Sequence, residues 1–372
     1  MRRILSGTRT FIVLLGAMVL SPTCLAQWPD GGPDMIIDAK AKAEAIDMLV
    51  KDLKQMYVFP DVGDKVAQML EGRQGRGAYS AITGAKEFSE LLNTEMSDIA
   101  HDQHLHVIYS SQTIPPVPPP GAQPQPPDPQ RLLQLKKANY AFQEVKRLNG
   151  NIGYLKMTAF LDPELAGPTV AAAMTFLANT DALVIDLREN GGGDAAMGAL
   201  FASYFFSGEH PVHLTDLEWR KEGTREYTLT QWWVLPYVPG PRYVDKEVYV
   251  LTSHGTPSAA EAFAYDLQTQ KRATIVGETT WGGANPGHVM RLGDHFEVFM
   301  PGGHAVNPIT KTNWEGVGVK PDVAVPQEDA LKVAQETALQ HLIAKATDDQ
   351  QLADLKRELA TLEGTPAERP KP

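Results

Sequence analysis

Ser258 stands in the run Thr256-Pro257-Ser258-Ala259-Ala260-Glu261, shortly after the apolar stretch Val248-Tyr249-Val250-Leu251. A hydroxyl held where a buried strand ends and a helix begins lies at a sheet edge, near the positive end of the helix dipole. That setting suits a nucleophile. The backbone N–H of Ala259 then points toward a bound carbonyl oxygen. The same residues also fit a capping box, in which serine only satisfies the helix start. Pro257, favoured in a first helical turn, predicts a cap at Thr256 instead, which frees Ser258. Upstream, Gly191-Gly192-Gly193 follow Asp186-Leu187-Arg188-Glu189-Asn190. Three glycines let the backbone turn sharply and offer N–H groups to an anion with no Cβ in the way. A plain strand-to-helix turn and a phosphate loop are the other readings. Against phosphate, there is no following Lys-Ser/Thr and no dinucleotide spacing.

A serine nucleophile needs a base, and spacing does not choose one. His101, His104 and His106 cluster, while His254 lies just before Ser258, too local in a tight loop to serve it. The clustered histidines raise the idea of a metal site. No acidic or cysteine ligand set accompanies them at helical metal spacing, and the zincin pattern is missing, so neither metal nor cofactor is expected.

The elements that must position these residues fall into two blocks. From Ala39 to Ile99 apolar residues recur at helical steps, as in Ala45, Met48, Leu49, Leu53 and Met56, which predicts a bundle of about three helices. His101 to Tyr109 switches to alternation and reads as a strand carrying His104 and His106. Thr113 to Pro129 is dominated by proline and reads as an exposed, stiff linker, or alternatively as a docking segment for a proline-reading partner. Beyond it strands are predicted at 152–157, 182–187, 248–251, 274–276 and 296–300. Helices are predicted at 168–178, at 195–204, after Pro257, and near the end at 331–342 and 352–362. The apolar run Ala182 to Leu187 suits a parallel strand buried on both faces. The fold class is α/β, a mixed β-sheet core with a small N-terminal helical bundle. The expected division is 1–26 leader, 27–110 helical domain, 111–132 linker, 133–330 α/β core and 331–372 terminal helices and tail.

The leader reading rests on basic Arg2, Arg3 and Arg9, the apolar run Phe11 to Leu20, and small residues at Cys24-Leu25-Ala26. Cleavage before Gln27 and export to a periplasm or the medium are expected. The run is shorter than the about 20 residues that cross a bilayer, so no integral membrane segment is expected in the mature chain. Cys24 after the run raises lipid anchoring, but Pro22-Thr23 is a poor approach to a lipidated cysteine. Cys24 is the single cysteine, so the mature chain offers no disulfide or thiolate nucleophile. The formal net charge of -11 argues against a nucleic-acid partner. With 43% hydrophobic and 21% charged residues the composition is that of an ordinary globular protein. About 345 mature residues suffice for one large domain plus a smaller one.

Five segments, in order, resemble the tail-specific (C-terminal processing) serine peptidase family. They are Asp102-Gln103-His104, Asp186 to Gly193, Thr256 to Glu261, Val276 to Gly282, and Glu315-Gly316-Val317-Gly318-Val319-Lys320-Pro321-Asp322. The resemblance covers most of residues 40 to 335 and implies a core of the ClpP/crotonase-like type and a peptide or protein substrate. Many members of that family use a Ser–Lys dyad; where that lysine would fall, this chain has Gly283. The departure points to the tricorn-core-like branch, with histidine as base and an assisting glutamate, and His104 and Glu315 match those positions. The resemblance thus implies Ser258 as nucleophile, His104 as base, Glu315 as its partner, and the N–H groups of Gly192 and Ala259 as the oxyanion hole. Residues 110–150 are too few for the PDZ domain that processing proteases carry there. The helical domain also resembles the modules of interphotoreceptor retinoid-binding protein. A non-catalytic binding module for lipid or retinoid-like ligands is therefore the rival expectation, and the oligomeric state is left open.

Overall fold

The computed structural model describes residues 31–117 and 128–364. The expected leader, the middle of the proline-rich stretch and the last tail residues lie outside the described residues. Asp38 starts α1 (Ala39–Met56) by accepting the Ala41 N–H at 2.7 Å. The stripe Ala45, Ile46, Leu49 and Leu53 is buried against α2 (Pro60–Gly75) and α3 (Ala85–Ala100), as the periodicity predicts. β1 (His106–Tyr109) is shorter than its alternation suggests, and His104 is not on it. His101 ends α3 in a left-handed conformation (φ 50°), and residues 101–105 form a corner.

Next come α4 (Pro129–Lys137), which starts on the Asp128 cap inside the stretch read as linker, β2 (Phe142–Leu148) and β3 (Ile152–Met157). α5 (Pro163–Leu177) begins earlier than expected: Asp162 caps it by accepting the Glu164 N–H at 2.7 Å, and Pro168 is carried inside the helix. Then follow β4 (Ala182–Asp186), α6 (Ala195–Ala202), β5 (His213–Arg220), β6 (Tyr227–Trp233), β7 (Glu247–Thr252), α7 (Ala259–Thr269) and β8 (Thr274–Gly277). β9 (Gly287–Arg291), β10 (Phe296–Pro301), β11 (Gly303–Val306), β12 (Val323–Ala324), α8 (Ala330–Lys345) and α9 (Asp349–Leu362) complete the chain.

The main sheet has the order β12-β8-β7-β4-β3-β2, parallel throughout except for the antiparallel β2–β3 pair. Leu155, Leu183, Ile185 and Val250 on one face pack against Val170, Phe201 and Phe263 of α5, α6 and α7. Tyr154, Val184, Tyr249 and Leu251 on the other pack against Ala334 and Leu339 of α8 and Leu355 of α9. Burial on both faces is why β4 reads as an unbroken apolar run. Each fully buried Leu, Ile or Phe contributes roughly 1.5–3 kcal/mol.

Two smaller sheets join this core to the bundle. β10 pairs with both β1 and β9, and Leu292, Phe296, Val298 and Met300 enter the core of α1–α3. The order β11-β5-β6 forms the other sheet, beside Ala284 and Trp314. The loop bearing His104 is therefore clamped between the bundle and a hairpin from far along the chain.

Candidate active site

The turn from β7 to α7 is wired from its own side chains. Thr256 Oγ1 donates to the Leu187 carbonyl at 2.8 Å and accepts the Ser253 N–H at 3.0 Å, and Ser253 Oγ donates to the Arg188 carbonyl at 2.6 Å. Thr256 is thus a strut of the turn, and the expected cap at Thr256 is corrected: Ser258 holds the N-cap position. Its backbone lies at φ 57°, ψ −123°, where a residue with a Cβ costs on the order of 1–3 kcal/mol. The Ser258 N–H donates to Glu261 Oε2 at 2.8 Å. Glu261, fully buried, also accepts from Thr280 Oγ1 (2.5 Å), Gly282 N–H (2.6 Å) and Gly283 N–H (2.9 Å). Burial pushes its carboxyl up to about 7, opposed by these four donors.

The glycine loop follows β4. Asp186 beneath it is held by both ends of the Arg188 guanidinium (2.9 and 2.6 Å) and by Tyr154 Oη at 2.7 Å. Burial would raise this carboxyl, yet the Arg188 pairing outweighs it and keeps the group below the usual range. The Gly191 N–H donates to the Thr158 carbonyl at 2.9 Å, and the Gly192 N–H donates to Asn190 Oδ1 at 2.9 Å. The donor expected at Gly192 is therefore already spent inside the loop. The motif carries the signal that sequence reading missed, since an Asn two residues ahead of a glycine favours this side-chain turn. Among the described residues the N–H groups of Gly193 and Ala259 take no partner, and both residues line the cavity that Ser258 lines. Gly192 serves by closeness instead. A Cβ there would lie 2.9 Å from the Ser258 Cβ and 2.9 Å from the Pro257 carbonyl oxygen.

His104 lines that same cavity. The residue is 5% exposed, and its ring stacks on Phe299 (centroids 5.2 Å apart, 27°) and meets the edge of Trp281 at 5.1 Å. A Cβ on Gly283 would come within 2.6 Å of His104 Cε1, so the space a side chain at 283 needs is filled by the histidine ring. Burial pushes His104 down to about 4, which keeps the imidazole neutral at pH 7. Its Nδ1 is buried and makes no hydrogen bond among the described residues.

Two carboxylates sit beside it. One ligand-type atom from each of Asp102, His104 and Glu315 lies within 4.8 Å of the others. Glu315 accepts from the Gln103 N–H at 3.2 Å and the Ala284 N–H at 2.5 Å. Burial first, then the charge of Asp102, pushes Glu315 up to about 8. Asp102 accepts from the His104 N–H (3.0 Å), Tyr57 Oη (3.0 Å) and Asn285 Nδ2 (2.9 Å), and burial raises it as well. The carboxylate oxygens are thus taken up by N–H and O–H donors, a poor fit to a cation. Sequence reading places Asp102 in the Asp102-Gln103-His104 segment but gives it no role, because nothing local shows that an acid two residues before a histidine turns inward.

The cavity next to Ser258 measures about 80 Å³ and is walled by Ala199, Leu214, Leu217, Trp232 and Phe263. A wider, open recess of about 440 Å³ between Gly277–Thr279 and Pro321–Pro326 includes none of Ser258, His104 and Glu315. His101, His106 and His254 are not in the cavity wall, so of the four candidate histidines it is His104 that shares the cavity with Ser258.

Residues 151–325 match the model of peptidase family S41, and residues 35–143 match that of the N-terminal domain of peptidase S41 in eukaryotic IRBP. The chloroplastic carboxyl-terminal-processing peptidase 2 of Arabidopsis thaliana is 30% identical over 211 residues, covering 53% of this chain and 38% of that protein. A carboxy-terminal-processing protease of Bartonella bacilliformis is 28% identical over 206 residues, covering 53% and 42%. The chain thus matches well under half the length of either relative. Among solved structures, a Parabacteroides merdae protein superposes with a TM-score of 0.54 at 18% identity, over 83% of this chain and 98% of the other. A lipoprotein from Streptococcus agalactiae gives 0.50 at 11% identity, over 82% and 98%; at such identities the likeness concerns the fold. Through both of its blocks, this chain belongs to peptidase family S41.

Proposed function

We propose that this protein is a serine-type peptidase acting on peptides or unfolded protein segments, with Ser258 as nucleophile, His104 as base and Glu315 as its acidic partner. The observation that carries the reading is the conformation of Ser258. A strained serine at a helix N-terminus, in the same cavity wall as a buried neutral histidine, is the arrangement an activated hydroxyl needs. A carrier of apolar ligands gains nothing from that strain. In the reaction His104 accepts the Ser258 proton as Oγ bonds to the peptide carbonyl carbon. The N–H groups of Gly193 and Ala259 hold the resulting oxyanion. His104 passes the proton to the leaving nitrogen, the C–N bond breaks, and water then releases the acyl group by the same route. Glu315, once ionised, stabilises the imidazolium that forms between these steps.

The test is labelling with a fluorophosphonate, which reports an activated serine directly. Labelling of the wild type at Ser258, lost in Ser258→Ala, is expected; an unlabelled wild type that still binds a retinoid or fatty acid would favour the carrier. The names of the relatives suggest trimming at polypeptide C-termini, and we extend that to this chain as part of the proposal. Export rests on the basic and apolar pattern of residues 2–26. Among the described residues no helix is long and apolar enough to cross a membrane. Sequencing of the exported protein should start at Gln27.

A further inference from the structure

We propose that Asp102 is a positioning residue that shares one proton with Glu315 and thereby couples the strength of the His104 base to the seating of the helical bundle. This deepens the peptidase reading and rests on it. Asp102 is 6% exposed and touches three separate parts of the chain. Its Oδ1 accepts the His104 N–H, which pins the corner carrying the base. Its Oδ2 accepts from Tyr57, at the end of α1, and from Asn285, just past the Gly283 turn. Glu315 reaches the same corner through the Gln103 N–H and reaches the Gly283 turn through the Ala284 N–H.

The groups facing Glu315 are Asp102 from the loop after α3, His104 beside it, Tyr57 from α1 and Glu261 from α7. Each is anionic or neutral, and among the described residues no lysine or arginine forms an ion pair with Asp102 or Glu315. A buried and a half-buried carboxyl this close, without a cation, do not both ionise readily. The donors decide which one keeps the proton. Asp102 gathers the N–H groups of His104 and Leu105 together with Tyr57 and Asn285, which favours its charged form. Glu315 has two backbone donors and bears the proton.

Catalysis needs Glu315 charged to stabilise the imidazolium. His104 is already neutral near pH 7, so the rate should rise with pH as Glu315, not His104, loses its proton. Asp102 opposes that loss, and its hold on Tyr57 makes the bundle part of the control.

The experiment is a pH profile of peptide cleavage and of fluorophosphonate labelling by wild type and Asp102→Asn, both confirmed as folded by circular dichroism. The expected result is an acid limb that moves to lower pH by about one unit in the variant, with kcat changed and KM within about twofold. Infrared difference spectra supply a reading that does not depend on the variant folding. A protonated-carboxyl band should disappear along the wild-type limb and be missing from the same titration of Glu315→Gln. An unshifted limb in a folded Asp102→Asn, or no Glu315-dependent carboxyl band, overturns the proposal while leaving the peptidase reading intact. Failure of the wild type to label at Ser258 overturns the peptidase reading, and the infrared titration still decides whether the proton is shared.

Discussion

Glu261 is fully buried and Glu315 half-buried, and the two glutamates are held very differently. Glu261 lies one turn into α7 and collects four donors, three of them from the strand-turn segment 280–283 that runs beside it. Glu315 comes from a distant loop, has two donors, and faces the like charge of Asp102. In the nucleophile half of the site the Glu261 carboxylate is thus fully bonded from nearby segments before any substrate arrives, while the Gly193 and Ala259 N–H groups keep no partner among the described residues. The base half is assembled across the bundle, the β9–β10 hairpin and the loop after β11, with a His104 Nδ1 that has no partner among the described residues and a carboxyl that faces the charge of Asp102. A satisfied polar network rigidifies, whereas an incompletely satisfied one is poised to change protonation. On the proposed reading, the first half builds geometry and the second half does the proton work.

The difference can be broken at several points. Ser258→Ala should abolish labelling and peptide cleavage while shifting stability by no more than about 1 kcal/mol, since the backbone half of the cap remains. Activity in that variant would remove the nucleophile, and a large drop in Tm would make Ser258 a cap alone. His104→Ala should lower kcat by about 10³-fold or more with the fold retained. Gly283→Ala presses a Cβ into the His104 ring and Trp281, and should cost on the order of 10²-fold in kcat through displacement of the base. An active Gly283→Ala enzyme would show that the ring can move without penalty.

The two glutamates give the direct contrast. Glu261→Gln should destabilise the protein by about 2–3 kcal/mol, because it leaves buried donors unpaired. Glu315→Gln should leave Tm nearly unchanged and remove the pH-dependent part of the rate; equal effects of both on Tm would dissolve the distinction between the halves. At the small end, Lys271→Ala should alter kcat by less than about twofold, because Lys271 lies past the C-terminal end of α7, away from the cavity lined by Ser258. A large loss there would revive a lysine base.

The nucleophile half was legible from sequence because its parts are local. A buried strand, a turn and a helix follow one another within residues 248–269, and the glycine loop likewise follows its own strand. Even so, local reading erred where two local solutions compete. Pro257 suggested Thr256 as the cap, whereas Thr256 bonds to Leu187 on the neighbouring strand, a contact that only the parallel β4–β7 pairing creates. The glycines announced an N–H-rich loop, yet which N–H stays free depends on Asn190 turning back to Gly192.

For the base half, residue types and order pointed to His104 and Glu315 only through resemblance, since residues 104, 258 and 315 are far apart in the chain. What joins them is the packing of β10 against β1 and the bundle, which carries the His104 corner up to the Gly283 turn. Composition and periodicity determined the α/β class, the helical bundle and the strand-to-helix seat of Ser258, because hydrophobic burial follows from patterns within single elements. Tertiary structure alone decided that His104 would be buried and neutral, that Gly193 rather than Gly192 offers its N–H, and that Asp102 meets Glu315. Desolvation and charge proximity depend on which surfaces come together, and no single element records that.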